Sequence, residues 1–184
     1  LNPPAHADAM AIGGRNNILS WLYMHRGEYE KARRVQLDAP VLLVDGVPFT
    51  GTAGGSLQGR CLVGLSHALE GQMKQAERIY RSVLQEAEQG GRALADPACL
   101  AAALLGDALY ELNDAAAARA LLEDRVEVLE RLSIPDSVLR VLRVLSASHW
   151  LVGHQLEAFA YLERLEEYAL QHGLDRLLAD RKST

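Results

Sequence analysis

A six-residue motif that occurs four times decides how this chain folds: Gly27-Glu-Tyr-Glu-Lys-Ala32, Gly71-Gln-Met-Lys-Gln-Ala76, Asn113-Asp-Ala-Ala-Ala-Ala118 and Gly153-His-Gln-Leu-Glu-Ala158. Each copy begins with Gly or Asn, continues with four variable residues and ends with Ala. Gly and Asn tolerate the left-handed backbone conformation that ends a helix, so this position predicts the turn inside a helical hairpin. The alanine is small enough for the second helix to lie close on the first.

Two further positions repeat ahead of each turn. A small residue stands seven residues before the turn and follows a larger apolar one, in Leu19-Ser20, Val63-Gly64, Leu105-Gly106 and Leu145-Ser146. Three residues after the small position comes a bulkier side chain, which is Tyr23, His67, Leu109 or His149. This order is the tetratricopeptide (TPR) pattern, in which helical hairpins stack on one another. The pattern predicts an all-α, TPR-like helical-hairpin solenoid (superhelix).

The repeats are longer than ordinary TPR repeats. The motif alanines are 44, 42 and 40 residues apart, against about 34 in most TPR proteins, and the usual proline at the repeat end is missing. Longer second helices or longer links are therefore expected. We predict one domain over 1–184 with helical pairs at 15–38, 58–89, 97–132 and 137–171. Their first helices are predicted at 15–26, 58–70, 97–112 and 137–152, and long second helices at 119–132 and 157–170.

The link over residues 39–57 fits no helix, because it contains two prolines and four glycines. A connection of this length is unusual in a compact helical array and is often functional. Within it, Val41–Val44 and Val47–Phe49 flank an Asp45-Gly46 turn, an arrangement compatible with a small β-hairpin. The segment is either a linker with two apolar anchors or a lid over a ligand, and the linker is the simpler interpretation.

Composition narrows the class of protein. The chain has 184 residues, of which 49% are apolar and 5% aromatic, which suits one helical domain. A net charge of −5 and a pI near 5.7 argue against direct nucleic-acid binding by this chain. No apolar run approaches the roughly 20 residues that span a membrane, and no signal peptide is visible. Because the sequence starts at Leu1 rather than Met, we expect it to be a piece of a longer protein.

Motifs for catalysis, metals or cofactors are not apparent. Cys61 and Cys99 are isolated, which favours small core residues in a reducing compartment over a disulfide. The glycine-rich stretch Gly51-Thr-Ala-Gly-Gly-Ser56 lacks the lysine of a phosphate-binding loop. His67 and His149 occupy the bulky repeat position, where we expect them to pack. The sequence therefore predicts a protein that is not an enzyme, with no metal site and no cofactor.

The segment Leu57–Leu178 resembles the TPR-like region of large bacterial transcription regulators of the LuxR family, the MalT-like group. Four stretches carry the resemblance: Gln58-Gly-Arg-Cys-Leu-Val-Gly64, Ala98-Cys-Leu-Ala-Ala-Ala-Leu-Leu-Gly-Asp-Ala-Leu-Tyr-Glu-Leu-Asn-Asp114, Leu121-Leu-Glu-Asp-Arg125 and Tyr161-Leu-Glu-Arg-Leu-Glu-Glu167. Such regulators place a nucleotide-binding signalling ATPase before this region and a helix-turn-helix DNA-binding domain after it. The resemblance implies an effector-sensing or protein-interaction segment of a cytoplasmic regulator, capable of self-association, with ATP and DNA bound elsewhere. A passive scaffold for peptides or self-assembly is the alternative.

The predicted binding surface is the concave groove of the solenoid. In a right-handed stack the first helix of each pair lines that groove, so the groove-facing residues follow by counting back from each turn. This selects Asn17, Trp21, Met24 and His25, then Gln58, Cys61 and Leu65, then Asp107, Tyr110 and Glu111, and finally Arg140, Arg143 and Trp150.

Two interpretations of this surface stay open. In one, Arg140 and Arg143 bind an anionic or polyhydroxy group of an effector, since guanidinium presents several fixed donors, and the two tryptophans offer flat apolar faces. In the other, the tryptophans pack between neighbouring pairs and the arginines pair with Glu127 or Glu130.

Overall fold

The computed structural model of the chain describes residues 5–38, 43–44, 47–48 and 57–174. Nearly all of these residues are helical, which confirms the predicted all-α class. The helices are α1 (Ala5–His25), α2 (Tyr29–Leu37), α3 (Leu57–Leu69), α4 (Met73–Gln89), α5 (Ala95–Glu111), α6 (Ala115–Leu122), α7 (Val126–Leu132), α8 (Pro135–Leu151) and α9 (Gln155–Gln171). Two short 3₁₀ helices cover Gly91–Leu94 and Glu123–Arg125. Three of the four predicted first helices agree within two residues, whereas α1 begins ten residues earlier than expected.

A short strand pair lies inside the long link. Strands β1 (Leu43–Val44) and β2 (Val47–Pro48) are antiparallel, with Leu43 opposite Pro48 and Val44 opposite Val47. The two halves of the hairpin predicted for the link therefore pair as expected. The remainder of the link, including its central turn, lies outside the described residues. Whether the link is a linker or a lid therefore stays open.

The four predicted turns all adopt the left-handed conformation. The φ angle is 72° at Gly27, 83° at Gly71, 65° at Asn113 and 82° at Gly153. In each hairpin the amide of the residue after the turn donates to the carbonyl of the bulky repeat position, at 2.8 to 3.0 Å. These bonds satisfy a carbonyl that the end of the first helix leaves without a helical partner. One local geometry therefore closes α1/α2, α3/α4, α5/α6 and α8/α9.

In two hairpins the small position ahead of the turn is glycine, and it accommodates a large side chain from the second helix. A Cβ atom on Gly64 would lie 2.4 Å from Tyr80 Cε1, and one on Gly106 would lie 2.5 Å from Leu122 Cδ1. Tyr80 and Leu122 are fully buried, and each stands four residues after its motif alanine. Glycine is required there because any side chain would overlap the facing residue.

In the other two hairpins the small position is serine, and it bonds to the second helix. Ser20 Oγ donates to the carbonyl of Ala32 at 3.0 Å, and Ser146 Oγ donates to the carbonyl of Ala158 at 2.9 Å. The acceptor is in both cases the motif alanine. The repeat therefore joins its two helices either by steric fit around glycine or by a buried hydrogen bond from serine.

The second helix of the third pair differs from the prediction. One long helix was expected over residues 119–132, but α6 ends at Leu122 and the 3₁₀ turn Glu123–Arg125 separates it from α7. Arg125 reaches back and donates to the carbonyl of Leu121 at 2.7 Å, which satisfies an acceptor at the break. By contrast, α9 extends unbroken through the range predicted for it.

The chain divides into two compact units, residues 1–101 (unit 1) and 102–184 (unit 2), with the boundary inside α5. In unit 1, α3 packs against α1, α2 and α4; in unit 2, α8 packs against α6, α7 and α9. Cys61 and Cys99 are both buried, as predicted for small core residues.

One stretch of the described residues, Gly91–Glu111, is long and apolar enough to cross a membrane, with a mean hydropathy of 1.3. Half of that stretch is buried inside the protein. This is weak evidence for a membrane span, because the core helix of a soluble protein passes the same test.

Candidate functional site

Three residues predicted to line the groove belong instead to the core of unit 1. The side chains of Met24, Cys61 and Leu65 are buried, and Cys61 has no exposed surface. Because α3 packs against three other helices, little of its circumference faces solvent. Counting back from a turn identifies one side of a helix, but it does not reveal how many neighbours cover that side.

The other predicted residues of unit 1 remain partly accessible but form no common site. Trp21 is half-buried and stacks on His25, with ring centroids 6.0 Å apart. Asn17 Oδ1 accepts a hydrogen bond at 2.9 Å from the Nε2 of Gln36, a fully buried amide that also donates to Ser20. Gln58 is exposed. Asn17 therefore helps to satisfy a buried amide of the first hairpin.

In unit 2, three of the predicted residues converge. The Asp107 carboxylate accepts from Arg140 through Oδ2 and from Arg143 through Oδ1, each at 2.5 Å. Asp107 comes from α5, and both arginines come from α8, one turn apart. Burial disfavours the charge of Arg140, but the attraction of Asp107 outweighs it and raises the pKa of Arg140 above its ordinary value.

Further groups surround this cluster. Arg143 lies 3.9 Å from a Glu111 carboxylate oxygen and 5.8 Å from the centroid of the Tyr110 ring, while Arg140 reaches Asp136 at 3.4 Å. Three carboxylates thus face two guanidinium groups, so the arginines are already neutralised. The Nε of Arg140 is the exception, since it is buried and has no hydrogen-bond partner within the described part of the chain.

A small cavity adjoins the two arginines. Its volume is about 260 Å³, and its lining consists of Asp136, Leu139, Arg140, Arg143 and Leu165. The alternative pairing of the arginines with Glu127 or Glu130 is wrong for Glu130, which binds Arg164 through both of its oxygens at 2.6 and 2.7 Å. The carboxylate that pairs with both arginines is Asp107, and its place in a binding groove stays a prediction.

A second feature of unit 2 is an exposed apolar surface at the end of α8 and along α9. Trp150 is 55% exposed and meets Phe159 edge to face, with centroids 6.0 Å apart. Leu156 and Phe159 are 85% and 53% exposed. We call this set the outer apolar surface; its members are Trp150, Leu151, Val152, Leu156, Phe159, Leu162 and Leu170.

The outer apolar surface exists because α9 is apolar on two sides. Its inner side buries Ala158, Tyr168 and Ala169. Leu156, Phe159 and Leu170 are separated by three and eleven residues, which places them together on a different side. An amphipathic surface helix normally carries polar residues there. Exposed apolar patches of this kind mark interaction sites.

Acidic residues accompany the outer apolar surface. Glu163 and Glu167 are exposed and follow Leu156 by seven and eleven residues, so they share its side of α9. Glu157, also exposed, lies in the first turn of the same helix. The one arginine of α9, Arg164, is engaged by Glu130. The outer apolar surface is therefore interspersed with exposed carboxylates.

His149 packs as predicted. It is buried and stacks on Tyr161 with ring centroids 5.5 Å apart. Its Nε2 lies 2.8 Å from a Glu123 oxygen, but neither ring nitrogen makes a well-aligned hydrogen bond among the described residues, so the approach is an electrostatic contact. Burial, and secondarily the charge of Glu123, raise the pKa of Tyr161.

Comparisons with known proteins identify no family for this chain: no protein-family model matches it, and no curated protein is significantly similar to it. Within the described ranges, no group of three or more His, Cys, Asp and Glu side chains is placed to hold a metal ion.

The outer apolar surface was not among the residues predicted from sequence. A signal for it was nevertheless present, because leucine and phenylalanine recur along α9 on more than one helical side. The two tryptophans belong to different units, so the prediction that they share one groove stays a prediction.

Proposed function

We propose that this chain is a TPR-like interaction segment of a LuxR-family transcription regulator, and that it recognises its partner through the outer apolar surface. The repeat pattern supports the TPR-like assignment, because all four hairpins share one turn geometry and each has a small residue where its two helices meet. The resemblance of residues 57–178 to MalT-like regulators supports the family. In this proposal, catalysis, ATP and DNA belong to other domains, and the chain acts in the cytoplasm.

The observation that carries the proposal is the second apolar side of α9. In helical-hairpin repeats, each hairpin buries its apolar sides on its neighbours. The inner side of α9 is buried, whereas Leu156 and Phe159 stay exposed. Leaving such a surface in water is unfavourable, and covering it contributes about 25 cal/mol for each Å² of apolar area removed from water.

The acidic residues of this surface indicate the partner's chemistry. Glu163 and Glu167 lie among the apolar residues and Glu157 lies in the first turn of α9, so a partner with the same charge would be repelled. A second copy of α9 would bring further carboxylates to the interface. The complementary partner is an amphipathic helix that combines apolar residues with Lys or Arg, because such a helix covers the apolar residues and pairs with the carboxylates.

A synthetic two-heptad Leu/Lys peptide with a fluorescent label tests this proposal by anisotropy at physiological salt. We expect saturable binding to the parent chain and a loss of affinity of about tenfold or more in the double variant Leu156→Asn/Phe159→Asn. The matched control is Ile18→Asn/Leu22→Asn, which removes two exposed apolar side chains from α1. No binding by the parent, or the same loss in both double variants, would refute the proposed surface.

Effector sensing is the second candidate function, and the cavity beside Arg140 and Arg143 is the observation that favours it. The unpartnered Nε of Arg140 is a donor that a small polar effector would satisfy. The test is Arg140→Ala and Arg143→Ala in the full-length regulator, with effector-dependent activation as the readout, and Trp150→Ala is the control because Trp150 does not line this cavity. Folded arginine variants that respond like the parent would exclude this cavity as the sensor.

A further inference from the structure

A larger groove lies in unit 1, on one side of the α3/α4 hairpin. Its volume is about 500 Å³, within the range typical of small-molecule sites. Its lining comprises Leu37 from α2, then Arg60, Val63 and His67 from α3, and Gln75, Arg78, Ile79 and Ser82 from α4. The α3 residues and the α4 residues each recur at helical spacing, so the groove is formed by one side of each helix.

The floor and the rim of this groove differ in chemistry. Leu37, Val63 and Ile79 provide apolar surface, whereas two guanidinium groups and one imidazole provide positive or ionisable groups. None of the described residues that line the groove is a carboxylate. Arg60 is paired with Glu86 outside the lining, so the positive charge that the groove offers to a ligand is that of Arg78.

The hydrogen bonds within the groove leave donors rather than acceptors unused. Arg78 donates to Gln75 Oε1 at 2.5 Å and to the carbonyl of Lys74 at 3.4 Å, and both acceptors are neutral. Arg60 donates to Ser82 Oγ at 2.8 Å and also binds the carboxylate of Glu86. Gln75 and Ser82 thus use their oxygens as acceptors, and among the described residues neither the Gln75 amide nor the Ser82 hydroxyl is seen donating a hydrogen bond.

His67 is oriented by its neighbours. Gln72 Nε2 donates to a Glu70 carboxylate oxygen at 3.2 Å, which fixes the amide so that Oε1 faces His67 Nδ1 at 2.7 Å. Because that oxygen can only accept, Nδ1 carries the proton in this bond. The other ring nitrogen, Nε2, is left for a ligand.

We propose that this groove binds an amphipathic small molecule that carries a carboxylate or phosphate group on an apolar body. The anionic group accepts from Arg78, Gln75 and Ser82, and the apolar body lies on Leu37, Val63 and Ile79. Arg78 is the principal anchor, because it is the arginine of the groove whose bonds go only to neutral groups. The site lies in unit 1 and does not depend on the outer apolar surface or on its partner.

Calorimetric titration of the parent chain with octanoate and with octyl phosphate tests the proposal and distinguishes the two head groups. We expect saturable binding of at least one of them, with octanol and acetate bound about tenfold more weakly or worse, since each supplies only one half of the ligand. Binding of octanol as tightly as octanoate and octyl phosphate, or no binding of either anion at millimolar concentration, would overturn it.

Variants locate the binding in the groove. Arg78→Gln removes the anchor charge from an exposed side chain and is expected to weaken binding about tenfold or more. Ile79→Ala, which removes apolar surface from the floor of the groove, is expected to weaken binding to a smaller extent. Arg81→Gln is the matched control on the same helix, because Arg81 pairs with Glu77 and does not line the groove.

A second control, Leu156→Asn/Phe159→Asn, shows whether the alkyl chain binds the outer apolar surface instead. We expect this double variant to bind as the parent does. Equal affinity of Arg78→Gln and Arg81→Gln, with both variants folded by circular dichroism, would refute the site whatever the outcome for the outer apolar surface.

Discussion

The α3/α4 and α8/α9 hairpins follow the same sequence pattern and share one turn geometry, yet they are stabilised differently. In α3/α4 the small position is Gly64, and Tyr80 fits against its backbone. In α8/α9 it is Ser146, which bonds to the carbonyl of Ala158. Both hairpins thus bring their two helices close together, one by steric fit around a glycine and the other by a hydrogen bond from a serine.

The two hairpins also differ on the side that faces away from their core. The outward positions of α4 are mostly polar and include the ion pairs of Glu77 with Lys74 and Arg81. The corresponding side of α9 carries Leu156 and Phe159. The outer side of α3/α4 is therefore well solvated, whereas the outer side of α8/α9 presents a surface suited to a partner.

Among the changes that test this comparison, Gly64→Val should have the largest effect on stability. Its Cβ would lie 2.4 Å from a Tyr80 ring carbon, and that ring is fully buried and has nowhere to move. We expect a loss of about 3 kcal/mol or more in the free energy of unfolding, measured by urea titration with circular dichroism.

The control for this prediction is Gly14→Ala, at an exposed helical glycine with nothing within 4 Å of a new Cβ atom. That change should stabilise the chain by roughly 0.5–1 kcal/mol, because alanine is the better helix former. If Gly64→Val were no worse than neutral, the steric fit of α3/α4 would be wrong.

The next largest effect is a pH dependence of stability that comes from Cys61, which is buried in the α3/α4 hairpin. Burial raises the pKa of its thiol from the ordinary value of 9.0 to about 12. Between pH 9 and 12 the unfolded chain releases this proton and the folded chain keeps it, so stability falls as the pH rises, by up to about 1.4 kcal/mol per pH unit. Cys61→Ala should show a shallower loss over pH 9–11 in urea titrations; parallel curves would contradict the burial of an intact thiol.

Ser146→Ala should produce a smaller loss, confined to the α8/α9 hairpin. It removes one buried hydrogen bond, while the Ala158 carbonyl remains placed to bond within its own helix. We expect a decrease of about 1 kcal/mol in the free energy of unfolding. Ser20→Ala is the informative companion, because Ser20 Oγ also accepts from the buried Gln36 amide at 3.0 Å. We expect the larger loss for Ser20→Ala; a larger loss for Ser146→Ala would contradict the bond between Ser20 and Gln36.

Leu156→Gln should have the smallest effect on stability, since its side chain is 85% exposed. We expect the free energy of unfolding to change by no more than about 0.5 kcal/mol. A loss of more than about 1 kcal/mol would mean that Leu156 packs against the chain itself, which would remove the contrast between α4 and α9.

The features that sequence predicted well are those fixed over a few residues. The turns at Gly27, Gly71 and Gly153 need a residue that tolerates positive φ, and the asparagine at Asn113 is one of the few non-glycine types that meet this need. The helix pairs follow from these turns. The break between α6 and α7 was missed because the residues around Leu122 continue a helical pattern, and no local residue type marks the 3₁₀ turn.

The candidate sites were harder to predict, because they depend on which helices cover which sides. Cys61 and Leu65 lie at the counted positions but are enclosed by the neighbours of α3. The arginine–carboxylate pairing was foreseen, yet the partner of Arg140 is 33 residues distant in sequence, and pattern alone did not distinguish Asp107 from Glu130. The groove with Arg60 and Arg78 is lined by residues of three helices, so no single stretch of sequence predicts it.

The hydrogen bond from Ser20 to Ala32 spans only 12 residues, and the one from Ser146 to Ala158 spans the same distance. Loops of about ten residues close within roughly 10–100 ns, far faster than a ribosome adds one amino acid. Each hairpin is thus able to form as soon as its own residues have left the ribosome, without waiting for distant parts of the chain. The apolar sides that a hairpin does not bury by itself then stay exposed until the neighbouring helices have been synthesised.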